Sequence, residues 1–190
     1  AFSDELREAA SETLAGILDQ CDGVRCDMAM LMLNDVFERT WGPRAGPAPA
    51  TEFWTDVIDT VRVDHPDALL LAEAYWDTEW RLQQLGFDAC YDKRLYDRLV
   101  HADAEAVRLH LCADLDYQHG LVRFVENHDE PRAAATFPGD RHRAGAVTAL
   151  TQPGVRLVHD GQLQGRRVQL PVFCGRAPAE PSDEDLAAWY

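Results

Sequence analysis

Apolar positions recur at three- and four-residue steps between residues 4 and 20 (Leu6, Ala9, Ala10, Leu14, Ile17, Leu18), which predicts a helix starting close to Ser3. A short β-type run follows at 23–27, and the Met/Leu-rich stretch 28–39 reads as partly helical. WGPRAGPAPA (41–50) is a loop by its proline and glycine content. Thr51 is expected to cap a helix running to Val63, with Phe53, Trp54, Val57, Ile58 and Val61 on one face, and His65-Pro66 stops it. The unbroken apolar run 68–72 ends in Glu73 and reads as a strand buried on both faces. A weaker strand is expected at 87–90, helices around 91–99 and 103–118, and a strand at 121–125. A helix at 139–151, broken by Pro153-Gly154, precedes a last strand at 155–158. Ser182, with an acid three residues on at Asp185, opens a final short helix.

Strands alternating with helices argue for a parallel α/β architecture, either an open doubly wound sheet or a (β/α)₈ barrel. A nucleotide-binding open sheet calls for a glycine-rich turn after an early strand, and the glycines here lack that spacing. The 190 residues carry 18 basic and 33 acidic side chains, a net charge of −15. That balance argues against nucleic-acid and anionic-membrane partners and suits a neutral ligand such as a sugar. No apolar run approaches the roughly 18 residues of a membrane span. The five cysteines (Cys21, Cys26, Cys90, Cys112, Cys174) show no CxxC spacing. They read as free, buried small hydrophobes in a reducing compartment, hence a cytoplasmic location. A start at Ala1 and a last helix of two turns lead us to expect a piece of a longer protein, cut at both ends.

The chemistry is expected where apolar runs end. The first strand ends at Asp27, the second at Glu73, and the fourth runs into His128-Asp129. In parallel α/β proteins the reactive groups project from the C-terminal strand ends. One carboxylate in such a place is as well explained by a helix N-cap; three of them, with Arg25 two residues before Asp27, point to a site. Adjacent parallel strands lie about 4.8 Å apart, close to the 5–5.5 Å (approximate) between the two carboxyl groups of retaining glycosidases. Arg25 is expected to keep Asp27 ionised, and the apolar flanks of Glu73 to hold its proton.

DGVRCDMAM (22–30), LLLAEAYWD (69–77) and RFVENHDEPR (123–132) resemble three sequence regions of the α-amylase family, glycoside hydrolase family 13, in the order of its strands four, five and seven. VRLVHDGQ (155–162) resembles the eighth strand and the turn after it. The resemblance implies an incomplete TIM (β/α)₈ barrel made of strands four to eight, with residues 1–190 forming one partial glycosidase catalytic domain. It implies retaining hydrolysis of α-glucosidic bonds in an α-glucan, oligosaccharide or α-glucoside. Asp27 would be the nucleophile, Glu73 the general acid/base and Asp129 the third carboxylate; Arg25 and His128 would hold the nucleophile and the sugar. Tyr75 and Trp76 are added as candidates to stack on a sugar face, with Glu79 and Glu126 as the fallback carboxylates. The family's strand-three region is absent, and Met30 and Leu31 stand where many calcium-dependent members carry Lys-His. No metal and no cofactor are expected.

Two other readings stay open. One is a transglycosylase or sugar isomerase of the same family. The other is a non-catalytic half-barrel that packs against the missing barrel half, or against itself, through exposed sheet edges. His159-Asp160 is a candidate for the pocket rim, and the other histidines read as solvated or structural. Trp41, Trp54, Trp76 and Trp80 read mainly as packing residues.

Overall fold

The computed structural model describes every residue of the chain except Val172 and Cys174. Five parallel strands pair in chain order: β1 (Gly23–Cys26), β2 (Leu69–Ala72), β3 (Ala89–Tyr91), β4 (Leu121–Arg123) and β5 (Val155–Arg156). Helices alternate with them; α2 (Asn34–Trp41) follows β1 and α4 (Glu79–Gln84) follows β2. Five strands of this kind, in place of the eight that close the fold, make an incomplete (β/α)₈ barrel. β1 and β5 end the sheet, and Val155 in β5 and Val158 just after it are exposed.

The chain forms two compact units, Ala1–Tyr91 with His119–Leu121, and Asp92–Gln118 with Val122–Tyr190. In the first, α1 (Asp4–Leu18) is capped by Ser3, whose Oγ accepts the Leu6 N–H at 3.3 Å. It packs on α3 (Phe53–Asp64), and buried Arg7 ties the two through Asp56. The α3 stripe of Trp54, Val57, Ile58 and Val61 joins Cys26, Leu70 and Ala72 in the core. The β1–β2 register runs from Gly23 opposite Leu69 to Cys26 opposite Ala72. Only glycine fits at 23, because a Cβ there would sit 2.4 Å from the Leu69 carbonyl oxygen.

The second unit is organised by a buried charge. Arg123 on β4 is fully enclosed and pairs with Asp92, which is equally enclosed. Gln118 Oε1 accepts from Arg123 Nη2 at 3.0 Å, and His110 Nε2 lies 2.9 Å from Asp92. Asp92 also caps α5 (Lys93–His101), its Oδ1 accepting the Leu95 N–H at 3.0 Å. β4 and β5 pair with Val122 opposite Val155.

Several expectations need correction. β2 is not buried on both faces: Leu70 and Ala72 are enclosed, but Leu69 is 44% exposed and Leu71 half-buried. Helices cover one face, and the Leu69–Leu71 face is the one a complete barrel would fill. Thr51 does not cap α3. Its neighbour Glu52 takes the cap position without a side-chain bond, and Thr51 Oγ1 instead donates to Asp56 at 2.7 Å. The helix expected at 103–118 is two helices, α6 (Ala104–Leu111) and α7 (Leu115–His119). The break is stabilised by Gln118 Nε2, which donates to the carbonyls of Leu111 and Ala113 at 2.8 and 2.9 Å. Asp183, not Ser182, caps the last helix. Cys26 and Cys90 are buried and free, but Cys21 and Cys112 are free and exposed, since they lie at helix ends outside the packed stripes; Cys174 lies outside the described residues. Of the four tryptophans read as packing, Trp54 is enclosed while Trp41, Trp76 and Trp80 are about half exposed or more. No helix among the described residues is long and apolar enough to cross a membrane.

Candidate active site

Asp27 and Glu73 are the residues that follow the last β1–β2 register pair, Cys26 and Ala72. Adjacent parallel strands therefore deliver the two carboxylates side by side. The backbone continues the pairing past the strands: Glu73 N–H donates to Cys26 O at 3.0 Å, and Ala29 N–H to Glu73 O at 3.2 Å. Trp54 Nε1 donates to Ala29 O at 2.7 Å, so α3 anchors the turn that carries Asp27.

One guanidinium joins the pair. Arg25 Nη1 lies 2.6 Å from Asp27 Oδ1, and Arg25 Nη2 lies 3.1 Å from Glu73 Oε2. The guanidinium stacks over the Tyr91 ring at the end of β3, 5.2 Å from its centroid. The two carboxylates differ sharply in exposure: the Asp27 side chain is 74% exposed, that of Glu73 only 6%. The surroundings of Glu73 are not apolar, as its flanking sequence suggests. Besides Arg25, its Oε2 accepts the Met28 N–H at 2.6 Å and its Oε1 the Tyr75 hydroxyl at 3.1 Å. Tyr75 is thus placed as a partner of Glu73.

Backbone strain is concentrated beside both carboxylates. Met28, directly after Asp27, has φ +46°, and Trp76 and Asp77 have φ +59° and +62°. These are the only three non-glycine residues with positive φ among the described residues. Each costs about 1–3 kcal/mol in such a conformation, and strain of this kind gathers at functional sites. At Met28 it aims the N–H at Glu73. At 76–77 it turns the chain between Tyr75 and Thr78, whose hydroxyl donates to Tyr75 O at 2.6 Å. The Trp76 ring is left 62% exposed at that turn.

In the second unit, His128 and Asp129 follow β4. His128 Nε2 lies 3.2 Å from Asp129 Oδ2, and both side chains are a little under half exposed. Asn127 shapes the turn, its Oδ1 accepting the N–H groups of Asp129 and Glu130 at 2.9 Å each. A cavity of about 230 Å³ is lined by His128, Arg132, His159, Asp160 and Arg166 among others, so His159-Asp160 does rim a pocket with His128. Met30 is fully buried in the core. Among the described residues no three His, Cys, Asp or Glu side chains gather as a metal centre requires.

The structure thus brings Arg25, Asp27, Glu73 and Tyr75 together, sets Trp76 on the adjoining turn, and pairs His128 with Asp129. The fallback carboxylates Glu79 and Glu126 are both buried. Sequence reasoning missed Tyr91 and the Met28 N–H. Tyr91 carried a usable signal, an aromatic at the end of the strand after Glu73. The Met28 backbone conformation carried none.

No family model matches the chain. The α-amylase MalA of Haloarcula japonica is 27% identical over 169 residues, covering 85% of this chain and 23% of its own. Among solved structures, an α-amylase from Lactobacillus plantarum superposes with a TM-score of 0.64 at 25% identity, covering 90% of this chain and 42% of that one. A maltogenic α-amylase from Thermotoga neapolitana gives 0.68 at 24% identity, over 98% of this chain and 42% of that one. The chain spans about a quarter of the curated relative and about two fifths of the solved ones. These matches, with the parallel strand order, make the chain similar to part of the catalytic barrel of α-amylases, the family that its strand-end motifs resemble.

Proposed function

We propose that the chain supplies the catalytic carboxylates of a retaining α-glycosidase acting on an α-glucan, oligosaccharide or α-glucoside. The observation that carries this reading is the Arg25 guanidinium holding an exposed and a buried carboxylate at neighbouring strand ends. Asp27, open to the solvent side, is the nucleophile that attacks the anomeric carbon. Glu73, enclosed beside it, gives its proton to the departing glycosidic oxygen and then takes one from the incoming water. Arg25 orients both. Asp129 binds ring hydroxyls and strengthens its contact as the oxocarbenium-like state forms, with His128 holding it in place. Trp76 offers a face for a sugar ring on the strained turn that follows Glu73. The pairing of β1 and β5 with one neighbour each leaves part of the sugar site to further strands. The isolated chain is therefore expected to be weak or inactive, and the assays below use a polypeptide that completes the barrel.

The leaving group tests the assignment of Glu73. Glu73→Gln is expected to slow natural α-glucans far more than aryl α-glucosides or α-glucosyl fluoride, because an activated group departs with little protonation. Azide should partly restore turnover of the activated substrates, since it attacks the intermediate without a base. Equal slowing of both substrate classes with no azide effect would overturn the role and return attention to Glu79 and Glu126. Product analysis on an α-1,4-glucan and on a disaccharide separates hydrolysis from transglycosylation or isomerisation.

A further inference from the structure

Glu126 is fully buried and has no part in the chemistry just described. Its Oε2 accepts the Ala133 N–H at 2.5 Å, at the start of the short helix Ala133–Thr136. Its Oε1 lies 3.2 Å from Arg132 Nη2 and 3.3 Å from His159 Nδ1. Arg132 in turn lies 2.7 Å from His159 Nδ1 through Nη1, and its Nη2 donates to Asp160 O at 2.7 Å. One carboxyl group therefore joins the residue before the loop 127–132 to the residues that end it, and Arg132 carries the link on to the segment after β5. Between those anchors Asn127 sets the turn, and Glu130 pairs with Lys93 at 3.1 Å.

We propose that Glu126 is a positioning residue that fixes the His128–Asp129 loop by tying its two ends to each other through the Ala133 N–H and Arg132, with Arg132 carrying the link on to His159. The weight of that loop in catalysis rests on the function proposed above; the tie itself does not. The tie is also sensitive to pH. Burial raises the Glu126 carboxyl to about 7, against the pull of the Ala133 N–H and Arg132. The closed loop then binds a proton that an opened, solvated Glu126 would release near its ordinary value of about 4.5. Closure is accordingly favoured at low pH and weakens as pH rises through that window. Arg132, His159, Asp160 and Tyr190 are the other charged or titratable groups facing this cluster. His159 is lowered by burial, Arg132 and His128, so it works in the opposite sense, but it does so whether or not residue 126 can ionise.

Amide hydrogen exchange of this 190-residue chain, read residue by residue and corrected for intrinsic rates, tests the proposal without any sugar. Protection of the Asp129 and Glu130 amides should fall as pH rises from about 4.5 to about 7, on the order of 100-fold for a shift of this size. In Glu126→Gln, the neutral isostere, that fall should be absent. In Glu126→Ala the same amides should lose protection at every pH while those of β4 keep theirs. If Glu126→Ala fails to fold, the contrast between the Glu126→Gln chain and the native one still decides. Identical pH profiles for those two would overturn the proposal, as would a folded alanine variant with an unchanged loop. An inactive barrel-completed enzyme would sink the proposed function and leave the exchange result standing.

Discussion

Replacing Asp27 by Asn in a barrel-completed enzyme is expected to reduce turnover of every α-glucoside by at least about 10³-fold, activated substrates included. The amide has no charge with which to attack the anomeric carbon or to balance the developing oxocarbenium ion. A better leaving group repairs neither loss, so this variant should differ from Glu73→Gln, whose defect shrinks as the leaving group improves. Arg25 stays half-satisfied, because its Nη2 still meets Glu73 at 3.1 Å. The fold should be little affected: the Asp27 side chain is 74% exposed, and among the described residues its carboxylate bonds only to Arg25. Steady-state kinetics on α-glucosyl fluoride and on a glucan, with a thermal melt as control, checks this. Retention of more than about a tenth of native activity on the fluoride would contradict the nucleophile role.

The largest effect on stability is expected at Asp92. Asp92→Ala removes the only carboxylate that contacts Arg123 among the described residues, leaving a fully enclosed guanidinium with Gln118 Oε1 and the Pro153 carbonyl. Breaking a buried pair in this way costs about 3–5 kcal/mol. The loss of the Leu95 cap on α5 adds about 1 kcal/mol. Urea unfolding should show the midpoint falling by roughly 2–3 M at a slope of about 2 kcal/mol/M. The double variant Asp92→Ala with Arg123→Leu should recover part of that loss, because most of the cost lies in the charge left alone. A single variant within about 1 kcal/mol of the native chain would show that the pair carries no such weight.

Much of the scaffold was legible in the sequence because its signals are local. The α3 stripe of Trp54, Val57, Ile58 and Val61 has helical spacing and is buried as read. The runs ending at Asp27 and Glu73 end as strands where the polarity changes. Errors arose where the deciding partner is distant. The cap of α3 depends on Arg7, whose bond network recruits Thr51 away from the helix start. The break between α6 and α7 depends on the Gln118 side chain reaching back to Leu111 and Ala113. Leu69 lies on the strand face opposite Leu70 and Ala72, and an apolar run does not show which of its faces is covered. At the site, strand ends located the carboxylates, but Glu73 was read from its sequence neighbours alone. Its actual neighbours, Arg25, the Met28 N–H and Tyr75, come from the β1–β2 register and from a left-handed backbone that residue type does not announce.

Trapping the covalent intermediate tests the central claim most directly. A barrel-completed enzyme is incubated with a fluorinated α-glucosyl fluoride, in which ring fluorine slows breakdown of the glycosyl-enzyme more than its formation, and the digested protein is analysed by tandem mass spectrometry. The account requires one sugar per active site, as an ester on the Asp27 carboxylate, and no labelling of the Asp27→Asn variant. A sugar attached to Glu73, Glu79, Glu126 or Asp129, or product released with inverted configuration and no covalent species, would contradict it.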